Sequence, residues 1–255
     1  MITDPYFYLA AIPAVLIVGI SKGGMGGGLG ILAVPIMSLV ISPFQAAAIM
    51  LPILCVMDLV GLWGFRGTYD TNNLKVILPS AVVGIGIGAL SFHYLSEQHI
   101  KLLIGAIAVT FTLNYWFKKL RKVPEKATLA NPVTGSFWGT LAGFTSFSVH
   151  AGGPPINIYL LPQKMDKTLF AGTTVIFFAV VNYAKLVPYA VLGLFESSNL
   201  MTSLMLVALA PVGVYLGMYL HHRIKEFWFY LICYSLLFAT GVKLSYEGIT
   251  ELFFI

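Results

Sequence analysis

Two glycine-rich turns contain most of the residues of this chain that are suited to binding a small anion. The first reads GISKGGMGGGLG over residues 19–30, and the second reads FSVHAGGPP over residues 147–155. A helix is predicted to begin after each turn. In the first copy it begins near Gly28. In the second it begins at Pro154 or Pro155, because proline suits the first helical turn. The free N–H groups and the positive dipole end of a helix start attract anions without any charged side chain. If both starts face one cavity, the sequence predicts an anion site between them.

Hydroxyl, amide and ionisable side chains near the turns would complete this site. The predicted substrate-binding residues are Ser21, Lys22, Gly26, Gly27, Gly28, Ser146, Ser148, His150, Gly152, Gly153, Asn182 and Lys185. An alternative interpretation is that the glycines only permit tight turns and close contacts between helices. His150 suits a proton relay, and it equally suits a structural hydrogen bond at a helix end. The lysine precedes the glycines and no strand precedes the turn, so the pattern is not a nucleotide-binding loop.

Asp58 is the predicted coupling residue. Together with Lys22 and Lys185 it lies inside or at the edge of an apolar segment, where an ionised side chain costs about 2.5–3.5 kcal/mol and usually faces a cavity or a partner. Its counterpart in the second copy is Asn182 or Tyr183, one turn before Lys185. This asymmetry would allow one site to bind an anion and a coupling proton. The alternative, of equal weight, is that Asp58 pairs with a lysine and holds the two parts of the chain together.

The sequence predicts no catalytic residues, no metal site and no cofactor. Cys55 and Cys233 each lie in an apolar run without paired spacing, which favours buried thiols over a disulfide or a metal site. No cluster of His, Asp and Glu has metal-ligand spacing, and no nucleophile has a base at a motif spacing. An intramembrane enzyme that acts on lipid is therefore disfavoured.

The composition indicates that these residues are positioned by membrane-embedded helices. The chain of 255 residues is 58% hydrophobic and 10% charged, with a mean hydropathy of +0.87, whereas a soluble domain is about 25% charged. The lipid bilayer is therefore a predicted partner. The net charge of +5 is interpreted as an orientation signal and not as a nucleic-acid site. A homo-oligomer is left open.

Ten apolar segments are predicted, five on each side of a polar linker at residues 118–131. The first two, 6–20 and 29–41, are shorter than the roughly 20 residues that cross a bilayer. Backbone that is not helical at membrane depth must line a protein-walled or watery cavity. The remaining segments lie near residues 45–65, 74–95, 99–117, 133–147, 154–162, 169–195, 199–221 and 226–246. The predicted units are therefore a first transmembrane repeat at 1–117, the linker, and a second repeat at 132–255.

The two parts of the chain resemble each other in spacing. Gly27-Gly28 matches Gly152-Gly153, and the pair Gly84-x-x-x-Gly88 matches Gly213-x-x-x-Gly217. The latter pairs are assigned to close helix packing between the two parts. An odd number of crossings in each part would invert one relative to the other, as in alternating-access transporters. The predicted fold class is an all-α polytopic bundle of two inverted repeats, each with a short glycine-interrupted (broken or re-entrant) helix pair plus three full helices.

Basic residues set the predicted orientation. Twelve fall in connections on one side, and only Lys101 and Lys243 fall on the other. The twelve are Lys22, Arg66, Lys75, Lys118, Lys119, Arg121, Lys122, Lys126, Lys164, Lys167, Arg223 and Lys225. The positive-inside rule then places the linker in the cytoplasm and both termini outside the cell (inner) membrane, whether the short segments cross or are re-entrant.

At these residues the sequence resembles the sulfite exporter TauE/SafE family of membrane anion transporters, also called TSUP. The motifs that carry the resemblance are the glycines of residues 19–28 with Pro35, the run from Gly143 to Gly152-Gly153-Pro154, Pro43-x-x-Ala46, and Ala171-Gly172-Thr173-Thr174. The resemblance covers nearly the whole chain and implies that residues 26–28 and 152–153 belong to the substrate site. The pair His150-Ala151 departs from the family's richer glycine pattern.

The sequence and the resemblance together predict a secondary transporter and no enzyme. The residues predict a small anion as the substrate, and the resemblance implies sulfite, a sulfonate or a related organosulfur or carboxylate anion. Alternating access coupled to a proton or sodium gradient is the expected mechanism. An anion channel on the same scaffold is the alternative, and a subunit that only scaffolds a larger complex is a further one.

Overall fold

The computed structural model describes residues 2–27, 30–37, 40–91, 97–121 and 127–253. Predictions made for Gly28, Lys122 and Lys126 concern residues outside these ranges. The described chain is helical and contains no strand. Its helices are α1 (Pro5–Lys22), α2 (Ala33–Met37), α3 (Pro43–Gly64), α4 (Thr71–Ser91), α5 (Glu97–Leu120), α6 (Pro132–Val149), α7 (Gly153–Leu160), α8 (Lys167–Val191), α9 (Ser197–Leu206), α10 (Leu209–Arg223) and α11 (Glu226–Phe253).

Several of these helices are long and apolar enough to cross a membrane. Among the described residues four qualify, namely α1, most of α3, α4 and α8, and the bent pair of α9 and α10 would add a fifth. The chain is therefore a multi-pass membrane protein. Helix α5 continues to Leu120, so residues 118–120 of the predicted linker are helical.

Helix α1 is longer than the sequence predicted. It has 18 residues, which corresponds to about 27 Å at 1.5 Å per residue, and it qualifies as a complete span. At its start the Asp4 side chain accepts a hydrogen bond from the N–H of Tyr6, and Pro5 occupies the first helical position. At its end Lys22 forms an ion pair with Asp58, and the N–H of the C-cap residue Gly23 donates to the carbonyl of Gly19. The prediction that this segment is too short to cross was wrong.

The second segment of each part begins differently. Helix α7 begins at Gly153, and Pro154 and Pro155 form its first turn, close to the predicted start. In the first part a 3₁₀ turn, Gly30–Leu32, precedes α2, which begins at Ala33. The α-helix thus starts five residues later than the predicted start near Gly28.

The ninth predicted segment is two helices and not one. Helices α9 and α10 meet at an angle of 44°. Pro211 lies in the first turn of α10. Proline has no N–H and its ring clashes with the carbonyl four residues earlier, which is that of Val207 at the break. The predicted single helix over residues 199–221 was therefore wrong.

Glycines bring three pairs of helices into close contact. A Cβ atom on Gly19 of α1 would lie 2.8 Å from the Cα of Gly213 on α10, and one on Gly23 would lie 2.8 Å from the Cα of Gly217. The same kind of contact joins α4 to α6 and α5 to α11, through Gly84, Gly88, Gly139, Gly143, Gly105, Gly241 and Gly248. The predicted use of the Gly-x-x-x-Gly pairs in packing between the two parts of the chain is confirmed.

Helix packing is reciprocal between the parts before and after the linker. The first helix of each part packs on a late helix of the other, since α1 packs on α10 and α6 packs on α4. Helices α3 and α8 pack against each other, and so do α5 and α11. The contact between α3 and α8 brings the ionisable residues of both parts together.

Candidate functional site

A narrow cavity lies between the two glycine turns. Its described lining consists of Lys22, Gly27, Gly30, Leu54, Ser146, His150, Phe178 and Asn182. The volume in which the centre of a water molecule fits is about 20 Å³, which is room for about one water. The structure therefore shows a small site whose lining includes charged and polar side chains.

The ring of Phe178 lies between the two glycine turns. A Cβ atom on Gly27 would lie 2.8 Å from the Cε2 atom of this ring, and a Cβ atom on Gly152 would lie 3.3 Å from its Cε1 atom. These atoms belong to opposite edges of one ring, so the turns are separated by little more than a ring's width. Gly27 also has a φ of +66°, which side chains other than glycine rarely adopt. The two turns are neighbours in the fold, as the anion-site hypothesis requires.

One group of charges joins α1, α3 and α8. The Nζ atom of Lys22 lies 2.5 Å from Oδ1 of Asp58, and the Nδ2 atom of Asn182 donates to Oδ2 of the same carboxylate over 2.7 Å. The side chains of Lys22 and Asp58 are 6% and 0% exposed. Lys22 also lies 5.5 Å from the centre of the Phe178 ring. Lys22 is therefore the member of this ion pair that lines the cavity, where a bound anion would compete with Asp58 for its ammonium group.

A second group joins α8 to the end of α6. The Nζ atom of Lys185 contacts the Ser146 carbonyl at 3.1 Å, the Ser146 hydroxyl at 3.0 Å and Nδ1 of His150 at 2.9 Å. The other ring nitrogen of His150, Nε2, lies 3.1 Å from the carbonyl of Ala47 on α3. A carbonyl can only accept, so Nε2 carries the proton and Nδ1 of the neutral ring accepts from Lys185. The lysine thus donates to the Ser146 carbonyl and to His150, and its third contact is with the Ser146 hydroxyl.

Local backbone geometry positions His150 and the start of α7. Helix α6 ends at Val149, and His150 follows with a φ of 53°, in the left-handed conformation of a helix C-cap. The N–H of His150 donates to the Ser146 carbonyl, and that of Ala151 donates to the Thr145 carbonyl. Because the two prolines of the first turn of α7 lack N–H groups, only Gly152 and Gly153 are left there as backbone donors. The helix start therefore offers fewer donors than the sequence interpretation assumed.

The predicted site residues fall into three positions relative to the cavity. Lys22, Gly27, Ser146, His150 and Asn182 line it. Lys185, which is fully buried, lies behind Ser146 and His150 and holds both of them. The described lining does not include the remaining predicted residues, namely Ser21, Gly26, Ser148, Gly152 and Gly153.

Individual contacts explain these outer positions. The hydroxyl of Ser148 donates to the carbonyl of Phe144 within its own helix. Gly26 lies against Phe170 and Asn157, because a Cβ atom there would be 2.6 Å from the Phe170 ring. Gly152 packs under Phe178. Ser21 is fully buried, and its carbonyl accepts from the N–H of Met25 in the first turn.

Sequence reasoning missed Phe178 and Leu54 as lining residues. Phe178 is one of 18 phenylalanines, and no spacing distinguishes it from the others. Leu54 lies one helical turn before the predicted Asp58, which is the only signal that could have indicated it. Among the described residues, no group of three or more His, Cys, Asp or Glu side chains could hold a metal ion.

Comparison with known protein families identifies this chain's family. The family model described as sulfite exporter TauE/SafE matches residues 11–244, which is nearly the whole chain and includes every residue of the cavity lining. No curated protein and no solved structure matches the chain.

Proposed function

The chain belongs to the sulfite exporter TauE/SafE family, and on that premise we propose that it is a secondary transporter that binds a small anion in the cavity between its two glycine turns. The observation that carries the proposal is the position of both turns on the Phe178 ring, beside a buried lysine, a hydroxyl and an amide. Sulfite, sulfonates and related organosulfur or carboxylate anions are the proposed substrates.

Anion binding would use groups that contact neighbouring side chains in this structure. The ammonium of Lys22 and the hydroxyl of Ser146 line the cavity, and the N–H groups of Gly152 and Gly153 lie at the adjacent helix start. Since the cavity has room for about one water, an oxyanion requires at least one lining side chain to move. Phe178, which separates the turns, is the bulky member of the lining.

Asp58 is the proposed coupling residue. If Lys22 turns from Asp58 to the anion, the carboxylate keeps only its hydrogen bond from Asn182. A buried carboxylate without a counter-charge is costly, and a proton or a sodium ion would neutralise it. Binding of the anion would thereby be linked to binding of a cation, which is the basis of coupled transport. The alternative is that the ion pair has a purely structural role.

Alternating access between inverted repeats is the proposed mechanism. It is supported by the reciprocal packing of α1 on α10 and α6 on α4. It is also supported by the hydrogen bond between Asp58 and Asn182, since Asn182 is one of the two predicted counterparts of Asp58 in the second part. A cavity with room for about one water beside a buried ion pair favours a carrier over a channel, because a channel needs a continuous path.

The proposed location is the cell (inner) membrane. The distribution of basic residues supports a cytoplasmic linker and termini on the opposite side.

Two serines on one helix provide a matched test of the site. Ser146 lines the cavity, whereas Ser148 donates to its own helix. Loss of a hydrogen bond to a charged ligand costs about 1.5–3 kcal/mol, so Ser146→Ala should weaken anion binding by about tenfold or more. Ser148→Ala should bind like the wild type. Calorimetric titration of the purified protein with sulfite and methanesulfonate measures both, and equal losses in the two variants would remove the cavity as the binding site.

A further inference from the structure

Buried charges among the described residues are concentrated around the cavity. Lys22, Asp58 and Lys185 are 7%, 1% and 0% exposed. Lys101 is also buried, but it pairs with Glu251 of α11 at 2.7 Å. Around the cavity there are therefore two lysines and one carboxylate. Lys22 and Asp58 compensate each other, and no carboxylate of the described residues forms an ion pair with Lys185.

The contacts of Lys185 suit a charged ammonium. An ammonium has three donors and no acceptor, and Lys185 faces three acceptors at 2.9–3.1 Å. His150 cannot share the charge in this arrangement, because protonation of Nδ1 would direct a proton at the lysine. The cavity wall thus carries a net charge of +1, held behind Ser146 and His150 by neutral acceptors.

We infer that the cavity selects monoanions over dianions of the same size and shape. This inference rests on the proposed anion transport and specifies its substrate class as small oxyanions with one negative charge, such as sulfonates and singly ionised oxyacids. While Asp58 is ionised, one negative charge neutralises the wall, whereas a second would remain buried without compensation, which is costly. A dianion would be compensated only with the proposed proton or sodium ion on Asp58 as well. Asp58 sets this selectivity, because its negative charge compensates the positive charge of Lys22.

Methanesulfonate and sulfate are suitable probes because both are tetrahedral and differ by one charge. Their affinities for the purified full-length protein are measured by calorimetric titration at neutral pH and constant ionic strength. The wild type should bind methanesulfonate at least about tenfold more tightly than sulfate, since an uncompensated buried charge costs more than the 1.4 kcal/mol that corresponds to tenfold.

Two variants change the charge of the wall in opposite directions. Asp58→Asn keeps a hydrogen-bonding partner for Asn182 and raises the net charge to +2, so it should shift the preference towards sulfate by about tenfold or more. Lys185→Gln lowers the net charge to zero and should weaken methanesulfonate binding by a similar factor. If Asp58→Asn does not fold, the wild-type preference and Lys185→Gln decide the question.

Several outcomes would overturn the inference. They are sulfate binding to the wild type as tightly as methanesulfonate, an unchanged preference in a folded Asp58→Asn variant, or unchanged methanesulfonate affinity in Lys185→Gln. Each of these would leave anion transport itself in place. Failure of the wild type to bind any anion would instead contradict the proposed function, and the inference with it.

Discussion

The ion pair between Lys22 and Asp58 gives the sharpest prediction about stability, because the pair is both buried and central. At 2.5 Å and an effective dielectric constant of about 20, the attraction between two unit charges is about 7 kcal/mol, most of which offsets the loss of hydration. Removing one partner of a buried pair usually costs about 3–5 kcal/mol. Since Asn182 still donates to Asp58 in Lys22→Met, we expect about 3 kcal/mol for that variant.

A double-mutant cycle measures this coupling. Lys22→Met and Asp58→Leu should each destabilise the protein, whereas the double variant should recover most of the loss, because no unpaired charge remains. We expect a coupling energy of at least about 3 kcal/mol. Unfolding in mixed micelles, followed by circular dichroism, gives the free energies. The double variant should remain unable to bind sulfite, since Lys22 is absent. Additive losses would refute the reasoning, and so would single variants as stable as the wild type.

Three further predictions concern packing around the site. Gly84→Ala should lower the thermal midpoint, because its methyl group would overlap the carbonyl of Thr140 and overpacking costs about 1–3 kcal/mol; Gly86→Ala on the same helix meets no atom within 4 Å and should not lower it. Phe178→Leu should widen the cavity, so that competition binding shows improved affinity for bulkier sulfonates, at a cost of roughly 1–2 kcal/mol in stability; an unchanged size preference would contradict its role as a spacer. Lys167→Met should destabilise the protein by about 1–2 kcal/mol in the same unfolding assay, because Lys167 donates to the last carbonyls of α10; an unchanged unfolding free energy would show that these contacts contribute nothing.

Local signals in the sequence predicted the parts of the site that depend on residue type. The prolines at 154 and 155 fix the start of α7 because they suit a first turn. An ionisable residue in an apolar segment requires a partner, which identified Lys22, Asp58 and Lys185 without saying which of them pair. The repeat spacing placed Asn182 or Tyr183 opposite Asp58, and the structure has the hydrogen bond from Asn182.

Other features depend on three-dimensional packing and could not be predicted. Phe178 separates the turns only because α8 crosses between them. The difference between Ser146 and Ser148 is a rotation along one helix, and the sequence does not define which face of α6 meets the cavity. The burial of Lys22 at the end of α1 depends on an ion pair with a residue 36 positions away. In each case the deciding contact is long-range.

Counterflow in proteoliposomes tests the central claim most directly. Vesicles loaded with unlabelled sulfite or methanesulfonate take up the labelled anion from outside. A carrier with its site between the two turns predicts a saturable, transient accumulation that requires internal anion, and this accumulation should disappear in Lys22→Met and Gly27→Val variants that remain monodisperse. Flux that neither saturates nor depends on internal anion, or that persists in both variants, would contradict the account.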